Sequence, residues 1–134
     1  MDNCLFCKIV KGDIPCYKIY EDDFVLAFLD IACDAEGHTL VVPKKHFENL
    51  LDADETYLNS VLSTCQKISK HYVENCGFEG VNIVNNSCEV AGQTVMHLHF
   101  HIIPRKNNDK LNVWQLCEKR EMNLGEVAQK LKLN

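Results

Sequence analysis

The spacing of apolar residues changes period several times along the chain, and each change marks an element. The opening run "CLFCKIVKGDIP" predicts a short helix from about Cys4 to Lys11, stopped by Gly12 and closed off by Pro15. Two strand-like runs follow, "CYKIYED" and "FVLAFLDI", separated by an acidic turn at residues 21–23, and together they predict a hairpin. "GHTLVVP" is a third strand, entered through Gly37 and ended by Pro43. In residues 52–77 the period lengthens: Leu58, Val61, Leu62, Cys65, Ile68, Tyr72 and Cys76 recur at helical spacing. Asp52 and Glu55 stand where a capping box would start this helix, and Gly77 where it would stop. "GVNIVNN" begins a fourth strand, and the loop "SCEVAGQT" leads into a fifth, "VMHLHFHIIPR".

Strands before and after one long helix, without βαβ alternation, predict an α+β fold: a five-stranded antiparallel meander sheet, one long helix and a short N-terminal helix. Residues 1–105 make one domain on this pattern, with no internal repeat. Residues 106–134 form a polar tail, with a short helix expected over about Leu124 to Leu131 on Val127, Leu131 and Leu133.

Composition narrows the function classes. With 134 residues, 46% hydrophobic and 25% charged, the chain is ordinary globular material that can bury a core. A formal net charge of -5, with only Lys44, Lys45 and Arg105 near the candidate chemistry, argues against nucleic acid as a partner. No apolar run is long enough to span a bilayer. The N-terminus "MDNCLFCKIV" has no basic segment followed by an apolar one and a cleavage site, so the eight cysteines are expected as reduced thiols in a cytoplasmic protein. Cys65 and Cys76 are expected to pack as small apolar groups.

Three of the six histidines, His97, His99 and His101, fall at alternate positions of the fifth strand. They would share one face, with Met96, Leu98, Phe100 and Ile102 on the other. The second face suits a core. The first needs a purpose, because an imidazole must find hydrogen-bond partners wherever it is buried. Acid-base or nucleophilic chemistry near neutral pH is one use. A catalytic metal held by neighbouring histidines, with His38 or His71 as third ligand, is the other; His71 sits among polar helix residues and suits the surface.

Cys4 and Cys7 form a C-x2-C pair that suits zinc when two further ligands arrive from elsewhere, and His46 with one histidine of the run would complete the set. A redox pair or a chance spacing is the competing explanation. The loop Asn86 to Thr94 collects small and polar residues at the mouth of the last strand, which suits the cradling of anionic oxygens. Asp30, at the end of the second strand, can accept from ribose hydroxyls, and Phe28 can offer an apolar surface to a base.

These segments together, "MHLHFHII" with "GQT" before it, "DIACDAEGHTLVVPKKH" and "CLFCKIVKGDIP", resemble the histidine triad (HIT) family over residues 3 to about 105, and within it the Hint-like branch in its microbial form. The resemblance implies the HIT fold, a sheet that continues across a homodimer, and hydrolysis of nucleoside 5'-phosphoramidates. It implies that His99 is a nucleophile forming a nucleotidyl-histidine intermediate and that His101 hydrogen-bonds a phosphate oxygen. His38 would support the site, with Asn86, Gly92, Gln93 and Thr94 in the phosphate loop. Asp30 would bind the ribose, and Leu5, Phe6, Ile9, Phe28 and Ile31 would enclose a purine. Cys4, Cys7, His46 and His97 correspond to the ligands of a structural zinc.

Two other functions remain open on the sequence: hydrolysis of dinucleoside polyphosphates, and a nucleotide- or zinc-binding interaction protein with little catalysis. In the better-known Hint branch the C-terminus helps shape the leaving-group pocket, and this chain departs from the Hint pattern after Arg105, so the part of Trp114 is open as well.

Overall fold

A computed structural model describes residues 3–113 and 119–134 of the chain. The first helix, α1 (Leu5–Lys11), begins at Cys4, whose Sγ accepts the Cys7 N–H, and ends at Gly12, which takes the left-handed conformation that glycine adopts without strain. Next come β1 (Lys18–Glu21), β2 (Val25–Leu29) and β3 (Thr39–Pro43), followed by the long helix α2 (Glu55–Asn75), β4 (Gly80–Val84) and β5 (Phe100–Arg105). A terminal helix, α3 (Leu124–Leu131), lies where the tail pattern places it, with no buried residue.

The five strands are all antiparallel, in the order β1-β2-β3-β5-β4. The chain meanders through the first three, and α2 then carries it to the far edge. β5 returns between β4 and β3 and so occupies an interior position. Strands β2 and β3 read as continuous apolar runs because both faces of the sheet are covered. On one face Val25, Ala27, Val41, Phe100 and Ile102 pack with Val61, Cys65, Ile68 and Tyr72 of α2. On the other, Leu26, Phe28, Leu40 and Val42 pack with Phe6 of α1. The histidines lie on this second face, so α1 is the lid under which the site is built.

Three local expectations give way. The start of α2 is Asp54, which makes no side-chain cap bond. Asp52 instead accepts the N–H groups of Glu48 and Asn49 at 3.1 and 3.0 Å, closing the turn before the helix. Of the predicted helical stripe, Leu62 is 53% exposed and Cys76 is also exposed, while Thr64 is buried and returns its hydroxyl to the Ser60 carbonyl at 2.7 Å. The seven described cysteines are free thiols. The expected fifth strand is shorter than its alternation. Pairing with β3 starts at Phe100, and residues 97–99 approach it through a bend in which the Leu98 N–H donates to the Phe47 carbonyl at 2.8 Å. Met96, ahead of that bend, is 39% exposed rather than part of the core.

Candidate active site

The alternation of the histidine run survives the bend. Leu98 and Ile102 are fully buried toward α2, and His97, His99 and His101 face α1. Each imidazole has its own partners, and the partners set which nitrogen is available.

His97 is fully buried, and its Nε2–H donates to the Pro43 carbonyl at 2.9 Å. Burial holds it neutral, pushing its pKa down to about 4. Its Nδ1 therefore carries the lone pair, and that atom lies 3.4 Å from Cys4 Sγ, 3.5 Å from Cys7 Sγ and 3.2 Å from His46 Nδ1. Cys7 Sγ lies 3.3 Å from His46 Nδ1. A tetrahedron with metal–nitrogen bonds of about 2.0 Å and metal–sulfur bonds of about 2.3 Å has edges of about 3.3 to 3.8 Å. The four donors sit at that spacing, so this cluster can hold a metal ion. Its two thiols come from the first turn of α1 and its two imidazoles from the segments after β3 and before β5. Burial, with the neighbouring Cys4, raises the Cys7 thiol above its ordinary value; a bound cation would reverse that pressure.

His99 donates its Nδ1–H to the His97 carbonyl at 2.7 Å, which leaves Nε2 unprotonated. The ring packs edge-on against Phe6, with centroids 5.1 Å apart, and Asn85 Nδ2 donates to the His99 carbonyl at 3.0 Å, fixing the backbone as well. Burial lowers its pKa below the ordinary imidazole value, which favours the neutral and nucleophilic form.

His101 and His38 meet nitrogen to nitrogen, His101 Nδ1 to His38 Nε2 at 2.9 Å, and the far nitrogen of His38 is 2.6 Å from Asp34 Oδ1. Asp30 Oδ2 is 3.7 Å from His38 Nε2, while its Oδ1 accepts the Ala32 N–H at 2.8 Å. Burial first, then the neighbouring His99 and His38, pushes His101 down to about 4.

Two cavities adjoin these rings. One, of about 310 Å3, is walled by Leu5, Phe6, Ile9, Phe28, Ile31 and Leu40, with Asp30, Thr94, His99 and His101 at its polar end. The other, of about 390 Å3, is walled by Val84, Ile103, Leu111 and Val113, with Asp34, His38, Asn86 and His101 beside them. His101 borders both. The second wall is held in place by Arg105, whose guanidinium donates to Asp109, Asn82 and the Leu111 carbonyl.

Most of the predicted site residues gather around α1 and the histidine run, while Gly92 and Gln93 lie in the loop ahead of it and His71 lies on α2. The Gln93 side chain uses its full hydrogen-bonding capacity inside the protein. Its oxygen accepts from Cys88 N and Asn49 Nδ2, and its nitrogen donates to the carbonyls of Glu48 and Val95. Gln93 thus shapes the loop and has no side-chain bond left for a ligand. Gly92 takes φ +100, and a Cβ there would meet Asn86 Nδ2 at 3.5 Å, so the loop closes on itself. His71 is exposed and bonds Asn75, far from the site. Trp114 lies outside the described residues. The sequence reading overlooked Asn49, Asn85 and Asp34; no spacing singles out the two asparagines, and only the i, i+4 relation to His38 hints at Asp34.

Residues 11–108 match the model of the HIT domain, and the chain belongs to that family. An uncharacterized HIT-like protein of Methanocaldococcus jannaschii is 46% identical over 129 residues, which span 96% of this chain and 98% of that protein. A Schizosaccharomyces pombe protein named adenosine 5'-monophosphoramidase is 43% identical over 107 residues, 80% of this chain and 77% of its own. The crystal structure of a Zn-bound histidine triad family protein from Mycobacterium smegmatis shares the fold with a TM-score of 0.80 at 37% identity, covering 96% of this chain and 89% of that one.

Proposed function

We propose that this protein hydrolyses purine nucleoside 5'-phosphoramidates or related nucleotidyl conjugates in two displacements at phosphorus. The observation that carries this reading is the His99 ring, whose Nδ1 proton is committed to the His97 carbonyl and whose bare Nε2 belongs to a residue lining a nucleoside-sized cavity. The Schizosaccharomyces pombe relative, a named phosphoramidase, supports the substrate class.

The nucleoside lies in the 310 Å3 cavity, its base between Leu5, Phe6, Ile9, Phe28 and Ile31 and its ribose hydroxyls on Asp30. Asn86, the Gly92 backbone and Thr94 contact the phosphate, and Gln93 holds their loop. In the first step His99 Nε2 forms a bond to phosphorus, the phosphorus–nitrogen bond breaks, and the amine leaves with the electron pair and a proton taken from His101 Nε2. In the second, water attacks phosphorus and gives up a proton to the His38–His101 pair, the bond to His99 breaks with its electron pair returning to Nε2, and the nucleoside monophosphate departs. Splitting the reaction spares water a direct attack on the intact ester, and His101 stabilises the charge on the phosphoryl oxygens as it grows.

Cys4, Cys7, His46 and His97 form a structural zinc site. The two soft thiolates and two imidazoles fit zinc, and the zinc-bound Mycobacterium smegmatis relative agrees with it. Held by these residues, an ion would tie α1 to the segments after β3 and before β5, and four protein ligands would leave no open position for substrate. The active unit is a homodimer joined along β4, an edge strand whose Ile83 is 41% exposed beside the exposed Leu62 of α2. The free thiols fit a cytoplasmic setting.

The test is release of AMP from adenosine 5'-phosphoramidate by the wild-type protein and by His99→Ala. Turnover in the wild type alone is expected. Absence of turnover in the wild type would turn the assignment toward a binding protein.

A further inference from the structure

The Asp34–His38–His101 chain has a consequence beyond the reaction just described, and it rests on that reading for its substrate. His101 can donate a hydrogen bond into the site only if the hydrogen sits on Nε2, because its Nδ1 is occupied by His38. With Asp34 ionised and His101 held neutral by burial, two arrangements of hydrogens fit the observed distances. In one, all rings are neutral: His38 gives its Nδ1–H to Asp34, its Nε2 accepts from His101 Nδ1–H, and His101 Nε2 is bare. A bare nitrogen facing a phosphoryl oxygen is repelled and has no proton to give. In the other, His38 has a hydrogen on both nitrogens, one on Asp34 and one donated to His101 Nδ1, so His101 presents Nε2–H to the substrate. Only the second arrangement serves the chemistry.

The geometry points to Asp34 as the positioning residue that selects the second arrangement, by holding the His38 ring with a 2.6 Å contact to its Nδ1–H and offsetting the charge of the doubly protonated ring. Asp34 touches neither cavity's reacting atoms; it acts through His38. When the leaving group takes the hydrogen from His101 Nε2, His38 passes its Nε2 hydrogen to His101 Nδ1 and reverts to a neutral ring bonded to Asp34. One proton thus moves from His38 to the departing amine, with no other reactant needed. An orienting carboxylate behind a histidine serves acyl-transfer sites by the same logic.

The surroundings favour the assignment. The groups facing His38 are Asp34, Asp30 at 3.7 Å and His101, two carboxylates against one imidazole; Asp30, His38 and His101 also lie close enough together to hold a metal ion, and none of the three belongs to the Cys4, Cys7, His46 and His97 cluster. The hydrogen bond from His38 holds the Asp34 carboxyl below its usual range, so it stays ionised through the neutral region. The loop is shaped for the contact: Cys33 takes φ +55, a conformation rare outside glycine, and the next residue is turned back toward the ring four positions on. Asp34 has a side chain 60% exposed, so its loss does not open the core.

The test compares Asp34→Ala, Asp34→Asn and Asp34→Glu with the wild type and with Glu36→Gln, an exposed acid on the same loop. Substrates are adenosine 5'-phosphoramidates carrying an alkylamine, a poor leaving group, or an arylamine, a good one. Asp34→Ala and Asp34→Asn are expected to lower kcat on the alkylamine substrate by about tenfold or more with KM within about twofold, and to lower it less on the arylamine. Asp34→Glu recovers most of the rate, and Glu36→Gln matches the wild type. Histidine 1H–15N spectra of the AMP-bound protein should show His101 protonated at Nε2 in the wild type and at Nδ1 in Asp34→Ala. Unchanged kcat in Asp34→Ala, an effect on KM alone, equal losses on both substrates, or spectra that do not move would overturn the proposal. The spectra need no turnover, so an inactive wild type would count against the hydrolase reading and leave Asp34 to be decided by the ring protonation.

Discussion

The Nδ1–H of His99 is bonded to the carbonyl oxygen of His97 at 2.7 Å, so two neighbouring members of the run have divided the work between backbone and side chain. The backbone of His97 fixes the tautomer of His99, while the side chain of His97 faces the thiols of α1. On the proposed mechanism, the attacking nitrogen is chosen by a backbone carbonyl that does not itself react. His99→Gln should therefore keep AMP affinity within about threefold and lose turnover by about 1000-fold or more, which calorimetry and steady-state rates would check.

The candidate metal cluster joins α1 to two segments that are distant in sequence. Cys7→Ser is expected to lose the ion, lower the melting temperature by several degrees and leave kcat within a few-fold of wild type. Elemental analysis of the purified protein and thermal scans with and without chelator would check this. A wild type without metal, or a chelator with no effect on melting, would count against the zinc assignment.

Asp30 has one carboxylate oxygen engaged by the Ala32 N–H, and the other stands 3.7 Å from His38 Nε2 at the polar end of the 310 Å3 cavity. If that oxygen binds ribose, Asp30→Ala should raise KM for the ribonucleotide by about tenfold, the size of one hydrogen bond to a charged group. The 2'-deoxy substrate should lose much less. Equal effects on both substrates would remove Asp30 from ribose binding.

Acid should weaken the fold through His101. Its folded pKa of about 4 lies below the unfolded value of 6.5, because burial and the adjacent His99 and His38 resist its charge; Asp30 and Asp34 pull the other way. Between those two values the unfolded chain binds a proton that the fold refuses. Stability from this ring is thus complete above pH 6.5 and declines as pH falls toward 4, by on the order of 1–2 kcal/mol after solvent screening. Urea midpoints at pH 7 and pH 4.5 should fall further apart in the wild type than in His101→Gln. Equal intervals would contradict the depressed pKa.

Much of this was legible in the residues themselves, for physical reasons that can be named. The stripe on α2 was readable because a helix with one buried face must repeat apolar residues at its own period, and Val61, Cys65, Ile68 and Tyr72 do. The histidine alternation was readable because side chains continue to alternate where pairing has not yet begun. What escaped depends on loop conformation and on side-chain contacts that no periodicity encodes. Asp52 and Asp54 both look like helix starters, and the turn at residues 48–49 decides between them by consuming Asp52. Gln93 looks like a ligand contact until Asn49 and Glu48, more than forty residues away, satisfy it. Asp34 is an unremarked acid in a loop until the backbone at Cys33 turns it onto His38.

The central claim is that His99 becomes covalently nucleotidylated. Intact-protein mass spectrometry after a brief acid quench with adenosine 5'-phosphoramidate tests it most directly. Wild type should gain the mass of one adenylyl group while His99→Ala gains none. An unmodified wild type that still releases AMP would contradict the two-step mechanism, and an adduct that persists in His99→Ala would place the nucleophile elsewhere.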